Sequence, residues 1–430
     1  MKFLINGGKK IDGEIKLVGA KNATTKMMVA SLLTDEPCFL ENFPHIGDAE
    51  ITAELCRSIG SKIEKDKDVL RIQTTDVKNP KVVSLSRKNR IPILALGPLL
   101  ARVGEAEVPF LGGDKIGARP VDIHLDSLKA MGAEVEITDS SYIARAKNGL
   151  KGATIVLRYP SVGATENTIL AAVLAKGRTI IQNAATEPEI IDLIKMLQKM
   201  GAIIELGVNR VIYIDGVKKL RGTYHRVLPD RNEAVSFACL GAATGGRVYV
   251  KQARQDDLIT FLNSLRRIGG DYEVMKEGII FYRNGELRPI DIETNTHPGF
   301  MTDWQQPFAV LLTQANGKST IHETVYEDRF GYANDLNLMG ANIKLLTKCP
   351  EWSVCRYNNE NHQHQAVING RTPLKAASLK VRDLRSGIAH IIAALIADGE
   401  SVIDGVEEID RGYERIDERL RFLGADIIRI

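Results

Sequence analysis

Cysteine is scarce in this chain, five residues in 430, and the count is odd. A disulfide framework is therefore excluded, and a reducing compartment is expected. Charge of one sign is missing as well. Lysine and arginine total 57 against 54 aspartates and glutamates, a formal net charge of +3. A protein that tracks a nucleic-acid backbone carries a clear basic excess, so no nucleic-acid partner is expected. Long hydrophobic runs are absent too. The most apolar stretches, residues 91–103 and 387–396, fall short of the ~20 residues a membrane span needs. The opening MKFLINGGKKIDGE has no apolar run of signal-peptide length. These absences predict a cytoplasmic protein with no membrane partner, read here as a monomer. What is present is ordinary globular usage, 44% hydrophobic and 26% charged. That excludes disorder and, at this length, allows two or three domains with cores of their own.

A repeat organises the chain. A tripeptide close to Met-Gly-Ala recurs as Ile59-Gly60-Ser61, Met131-Gly132-Ala133, Met200-Gly201-Ala202, Ile268-Gly269-Gly270, Met339-Gly340-Ala341 and Leu423-Gly424-Ala425. Each follows a helical pattern and precedes a β-branched strand, where glycine ends a helix with φ > 0. Six such glycines in one frame, about 70 residues apart, mark an internal repeat. Each unit reads strand, helix, strand, helix, strand. In the third, these are 154–157, 165–175, 179–181, 187–199 and 203–205. Six βαβαβ-like units make an α/β protein, most economically two domains of three units. The last interval is the longest, and its excess lies in the polar segment 349–365, read as an inserted hairpin or loop without an assigned function.

Polar residues open the first helix of each unit: Lys21-Asn22, Arg90, Ser161-Val162-Gly163, Asp230-Arg231, Thr302-Asp303 and Asp383-Leu384-Arg385. Any one of these has a plain explanation as a cap or a solvated charge. As a set they point to an anion, because lysine and arginine are poorly placed beside a positive helix end unless something neutralises them. If the units pack around an axis, these starts converge. A second series lies before the second helices. Gly112-Gly113-Asp114-Lys115-Ile116-Gly117-Ala118-Arg119-Pro120 reads as a mobile loop carrying an acid and an anion ligand. Tyr326–Phe330 and Ile409–Arg415 carry further arginines, for which surface pairing along a helix is the plain alternative.

Other chemistry is not signalled. There is no GxGxxG after a strand, no HExxH and no CxxC, and Gly317-Lys318-Ser319 lacks the upstream glycine of a P-loop. Cys349, Cys355, His362 and His364 have metal-ligand chemistry, but their spacing fits no standard zinc pattern. No metal and no cofactor are expected.

These residues bring the chain to a known family. It resembles the UDP-N-acetylglucosamine 1-carboxyvinyltransferases, a branch of the enolpyruvyltransferases, from about residue 3 to 428. The likeness is carried by GAKNA at 19–23, ALGPLLAR at 95–102, GGDKIGARPVDIHL at 112–125 and PSVGATEN at 160–167. It continues with EPEIID at 187–192, VLPDR at 227–231, HPGFMTDWQ at 297–305, ETVYEDRF at 323–330, DLRSG at 383–387 and IDRGYERI at 409–416. The resemblance implies a two-domain inverted α/β barrel of six repeats, three per domain. One domain would span 21–228 and the other 1–20 plus 229–430, with the active site in the cleft between them. It implies two small-molecule substrates, phosphoenolpyruvate and UDP-N-acetylglucosamine. The enolpyruvyl group would pass to the 3′-hydroxyl and phosphate would leave, opening peptidoglycan precursor synthesis.

By the same resemblance, Lys21, Asn22, Arg119, Arg385 and Arg411 would hold phosphoenolpyruvate. Arg90, Arg119, Pro120, Val121, Asp122, Ile123, Leu125, Ser161, Val162, Gly163, Asp303 and Val325 would hold the UDP-sugar. Asp114, Lys21, Asp303 and Arg411 would be catalytic, Asp303 taking the proton of the sugar hydroxyl. One position departs from the family's commonest form: Asp114 stands where a cysteine is usual. A carboxylic acid can deliver a proton, but its pKa starts near 3.9 rather than 8.5 and must be raised. The epoxide fosfomycin, which alkylates that cysteine, is expected to fail here. The rival readings are an enolpyruvyltransferase for another acceptor, such as shikimate 3-phosphate or a nucleotide of a secondary pathway, and a non-catalytic sugar-nucleotide-binding repeat protein. The 112–125, 160–167 and 297–305 motifs favour the UDP-sugar enzyme.

Overall fold

The computed structural model describes residues 1–87, 89–112, 120–358 and 360–430. These divide into two compact units, a first of residues 18–112 and 120–228 and a second of residues 1–17 and 229–430. Each unit holds three small sheets and its own apolar core. The boundary falls after residue 17, not after residue 20 as the family resemblance implied. The Leu17 N–H reaches the Lys251 carbonyl in the second unit, whereas the Ala20 N–H bonds the Leu228 carbonyl in the first. Among the described residues no helix is long and apolar enough to cross a membrane.

Six helices line the interiors: α1 (Lys21–Ala30), α2 (Leu96–Val103) and α3 (Val162–Ala172) in the first unit, and α4 (Arg231–Thr244), α5 (Gln305–Thr313) and α6 (Leu384–Ile396) in the second. Every residue of α5 is buried, as is every residue of α4 before Thr244 and of α6 before Ile396. A helix without a polar face needs cover on all sides. In the second unit α4, α5 and α6 pack on one another and each backs onto a sheet: α4 onto Val248–Lys251 and Gly278–Arg283, α5 onto Gly317–His322 and Gln365–Gly370, α6 onto Lys2–Asn6 and Glu400–Asp404. Helices inside and sheets outside make the inverted barrel.

The repeat carries one strand more than its sequence suggests. In the third unit Thr154–Val156 pairs parallel with Arg178–Gln182, as a βαβ crossover requires. A further strand, Ile212–Asp215, then inserts antiparallel between Arg178–Gln182 and Ile203–Leu206. Its Ile212 and Ile214 are buried, so the unit closes with an apolar hairpin and its sheet is mixed.

The six repeat glycines all take positive φ, from +90° at Gly269 and Gly424 to +128° at Gly60. At Gly201, φ is +105° and a Cβ would meet nothing within 4 Å. Gly201→Ala therefore strains only the backbone, and unfolding in urea is expected to show a loss of about 1–2 kcal/mol. Gly216→Ala, whose Cβ would sit 1.7 Å from the Ala175 carbonyl oxygen, is expected to lose clearly more.

Candidate active site

In the second unit the polar groups gather where α5 and α6 begin. Asp383 caps α6, accepting the Arg385 and Ser386 N–H groups at 2.9 and 3.1 Å, and Ser386 reaches back to the cap. The cap sets Arg385 in the first turn, at the positive end of the helix. Burial works against the charge of Arg385, but Tyr413, Asp303 and Asp230 outweigh it and raise its pKa. Its Nε donates to Asp303 Oδ2 at 3.1 Å and its Nη1 to the Tyr413 hydroxyl at 3.1 Å. Tyr413, pushed up to about 12 chiefly by burial, stays a neutral phenol and lies 2.8 Å from Ser236 Oγ. Asp303 sits in the 3-10 turn Thr302–Trp304 that opens α5. Its Oδ1 accepts from Arg329 Nη2 at 2.5 Å. One carboxylate is thus gripped by two guanidiniums that are only 3% and 4% exposed. A buried guanidinium without an anion is costly; Asp303 meets both directly, with Asp383 adding to the field at Arg329 and Asp230 to that at Arg385.

Glu323 steadies this corner. It is fully buried. One oxygen accepts from Thr302 Oγ1 at 2.9 Å and Gln305 Nε2 at 2.6 Å, the other from the backbone N–H groups of Val325 and Tyr326 at 2.8 and 3.0 Å. It thereby ties the turn of Asp303 to the loop of Val325. Burial raises the pKa of Glu323, against the pull of Arg329 and these donors. Arg411 is also buried and donates to Glu408 Oε2 at 3.0 Å.

In the first unit Lys21 is the opening residue of α1, with Asn22 beside it, and Ala20 provides no side-chain cap. The Lys21 ammonium lies 2.9 Å from Asp48 Oδ2. Further along α1, burial lowers the pKa of Lys26 and pushes Glu166 of α3 up to about 7, each opposed by the other's charge. Neither Glu166 oxygen has a hydrogen-bond partner. Ser161 caps α3 through the Ala164 N–H at 3.3 Å. A Cβ on Gly163 would meet His124 Cε1 at 3.0 Å, so glycine lets the 120–125 segment pack against the start of α3. His124 is pushed down to about 3 by burial and by the charge of Arg90. Asp122 opens the helix Asp122–Ala130 and pairs with Arg158. Burial opposes its charge, but Arg158 and the Ile123 N–H hold its carboxyl below the usual range.

Arg90, Pro120, Val121, Asp122, Ile123, Leu125, Ser161, Val162 and Gly163 therefore belong to one unit, with Lys21 and Asn22. Asp303, Val325, Arg385 and Arg411 belong to the other. Asp114 and Arg119, with the loop they were read on, lie outside the described residues. The plain capping explanation holds for Ser161, Asp230 and Asp383. Lys21, Arg385 and Arg411 are met by the chain's own carboxylates, Asp48, Asp303 and Glu408. Surface pairing holds for exposed Arg415, on Glu418, but fails for Arg329, which is buried on Asp303. Glu323 is not singled out by the sequence reading, although it lies in the same ETVYEDRF motif as Arg329. Of the four residues with metal-ligand chemistry that the spacing set aside, His362 pairs with Glu360, while His322 stands beside Cys349, Cys355 and His364.

A family model described as EPSP synthase (3-phosphoshikimate 1-carboxyvinyltransferase) matches residues 5–420. Two solved structures share the fold. The enolpyruvyl transferase NikO from Streptomyces tendae superposes with a TM-score of 0.86 at 22% identity, covering 99% of this chain and 98% of that one. EPSP synthase from Acinetobacter baumannii gives 0.71 at 18% identity, covering 100% of both. The chain belongs to the EPSP synthase family of enolpyruvyl transferases. Within that family it is similar to proteins named UDP-N-acetylglucosamine 1-carboxyvinyltransferase. That of Protochlamydia amoebophila is 47% identical, over 98% of this chain and 93% of its own. That of Chlamydia abortus is 50% identical, over 98% and 96%. That of Azorhizobium caulinodans is 42% identical, over 100% and 99%.

Glu166 gives the first unit a pH dependence. Its folded pKa lies above the unfolded value of 4.5, so the fold favours the protonated acid. The contribution is complete below about pH 4.5 and is lost as pH rises through about 7, some 3 kcal/mol at most. Urea unfolding at stepped pH is expected to show this decline, and Glu166→Gln is expected to flatten it.

Proposed function

We propose that this chain transfers the enolpyruvyl group of phosphoenolpyruvate to the 3′-hydroxyl of UDP-N-acetylglucosamine, releasing phosphate. The supporting observation is a set of enclosed cations, Lys21 and Arg385 at helix starts and Arg411 just past the end of the turn Val406–Ile409, in a chain 42–50% identical end to end to proteins of that name. Phosphoenolpyruvate carries a carboxylate and a phosphate, so its recognition calls for several fixed cations. Lys21, Arg385 and Arg411, with Arg119, take that role here, and Asn22 lies next to Lys21.

The chemistry has two demands. Protonation at C3 makes C2 electrophilic, and the attacking hydroxyl must lose its proton. Asp303 receives that proton. Arg385 occupies one of its oxygens until an anionic substrate competes for the guanidinium. The new C2–O bond gives a tetrahedral adduct; loss of a C3 proton and departure of phosphate restore the C2–C3 double bond, now as an enol ether of the sugar. Asp114 is the candidate donor at C3. Arg90, Arg119, Pro120–Ile123, Leu125, Ser161–Gly163 and Val325 hold the UDP-sugar. The product is a precursor of peptidoglycan, and the five unpaired cysteines agree with a cytoplasmic setting.

The test is phosphate release from phosphoenolpyruvate with UDP-N-acetylglucosamine, with shikimate 3-phosphate in parallel and the product weighed by mass spectrometry. Turnover with the UDP-sugar alone is expected; turnover only with shikimate 3-phosphate would replace the acceptor. Asp303→Asn is expected to lower kcat by about 10²–10⁴. Fosfomycin is expected to give no time-dependent inactivation, because Asp114 is a weak nucleophile. A fosfomycin adduct at residue 114 would contradict this.

A further inference from the structure

Between the strands Ile343–Leu346 and Gln365–Gly370 the described residues, 347–358 and 360–364, form no helix or strand. A loop of this length without regular structure needs something to hold it. It brings Cys349, Cys355 and His364 together, and the neighbouring strand adds a fourth donor. Gly317–His322 pairs antiparallel with Gln365–Gly370, and His322 faces Gln365, one residue from His364. One donor atom from each of His322, Cys349, Cys355 and His364 lies within 4.8 Å of the others. Both histidines are fully buried.

From this cluster we propose that His322, Cys349, Cys355 and His364 form a structural zinc site. The distances fit a tetrahedral ion. Cys349 Sγ lies 3.6 Å from Cys355 Sγ and 3.3 Å from His364 Nε2. Zinc bonds of about 2.3 Å to sulfur and 2.0–2.1 Å to nitrogen set donors roughly 3.3–3.8 Å apart. Closing the widest separation takes about 1 Å of side-chain movement. A disulfide would need its sulfurs near 2.05 Å.

The surroundings prepare each donor. His322 Nδ1 is held by Glu293 Oε2 at 3.1 Å, which leaves Nε2 buried and without a hydrogen-bond partner. His364 Nδ1 is held by the His362 carbonyl at 2.8 Å, which turns its Nε2 toward Cys349. An acceptor on one ring nitrogen that fixes the other as ligand is the usual support of a metal-bound histidine. The sulfurs also receive backbone donors: Cys355 N–H to Cys349 Sγ and Tyr357 N–H to Cys355 Sγ, both at 3.4 Å. Such bonds favour thiolates. Zinc binding releases the two thiol protons, and two thiolates balance its charge. With four protein donors there is no open position, so the ion is structural. Tyr357, two residues after Cys355, donates to the Val325 carbonyl at 2.9 Å; the clip therefore braces the loop that carries Val325.

The test is metal analysis of the full chain purified after growth with zinc. One zinc per chain is expected, and none in Cys349→Ser/Cys355→Ser. Cobalt(II) added to the zinc-depleted chain is expected to show the visible absorption of tetrahedral thiolate coordination. Glu293→Gln is expected to weaken zinc binding by about 10–100-fold without removing the site. These two measurements decide the matter even where the double variant does not fold. An intact chain that takes up neither zinc nor cobalt, zinc retained by the double variant, or a Cys349–Cys355 disulfide in anaerobically purified protein would overturn the proposal.

Discussion

The constraint behind this structure is that the inner helices have no solvent face. Of the residues in α5 none reaches water, and α4 and α6 are nearly as enclosed. Sheets cover their sides, so only their ends can carry polar groups without stranding them in an apolar core. The unmade N–H groups of a helix start must also find partners. Caps such as Asp230 and Asp383 supply some of them. The same starts then become the natural place for fixed positive charge, and there the chain puts Lys21 and Arg385.

Fixed cations in a dry setting need an anion at all times. The chain supplies its own: Asp48 for Lys21, Asp303 for Arg385 and Arg329, Glu408 for Arg411. On the functional reading, such pairs hold the cations in place without substrate and are exchanged for a phosphate or carboxylate at small net cost, because one charge-assisted contact replaces another. Around Asp303 the arrangement is braced twice over, by Glu323 through Thr302 and by Tyr413 through Arg385. On the functional reading, a substrate anion that draws on Arg385 also loosens the grip on the carboxylate that must take a proton.

How far this was legible differs from residue to residue. The six repeat glycines were readable because a positive φ excludes nearly every other residue, and the structure gives all six that conformation. The inner helices were readable from their apolar runs. The strand Ile212–Asp215 was not, because its four residues follow a turn and its place depends on its partners Arg178–Ile181, far back in the chain. Arg329 and Asp303 are 26 positions apart, and nothing local in 326–330 distinguishes a buried cation from a surface one. His322 escaped for a similar reason: it joins Cys349, Cys355 and His364 only through strand register, whereas His362, two residues from His364, turns to Glu360.

The claim on which the rest depends is that Asp303 stands in for a substrate anion on Arg385. Calorimetric titration of phosphoenolpyruvate into the intact chain and into Asp303→Ala tests it directly. Removing the competing carboxylate takes away the acceptor that Arg385 and Arg329 share, so the variant is expected to bind phosphoenolpyruvate several-fold more tightly while losing turnover. Equal or weaker binding in a variant that retains its fold would mean that Arg385 and Arg329 serve the scaffold and not the substrate.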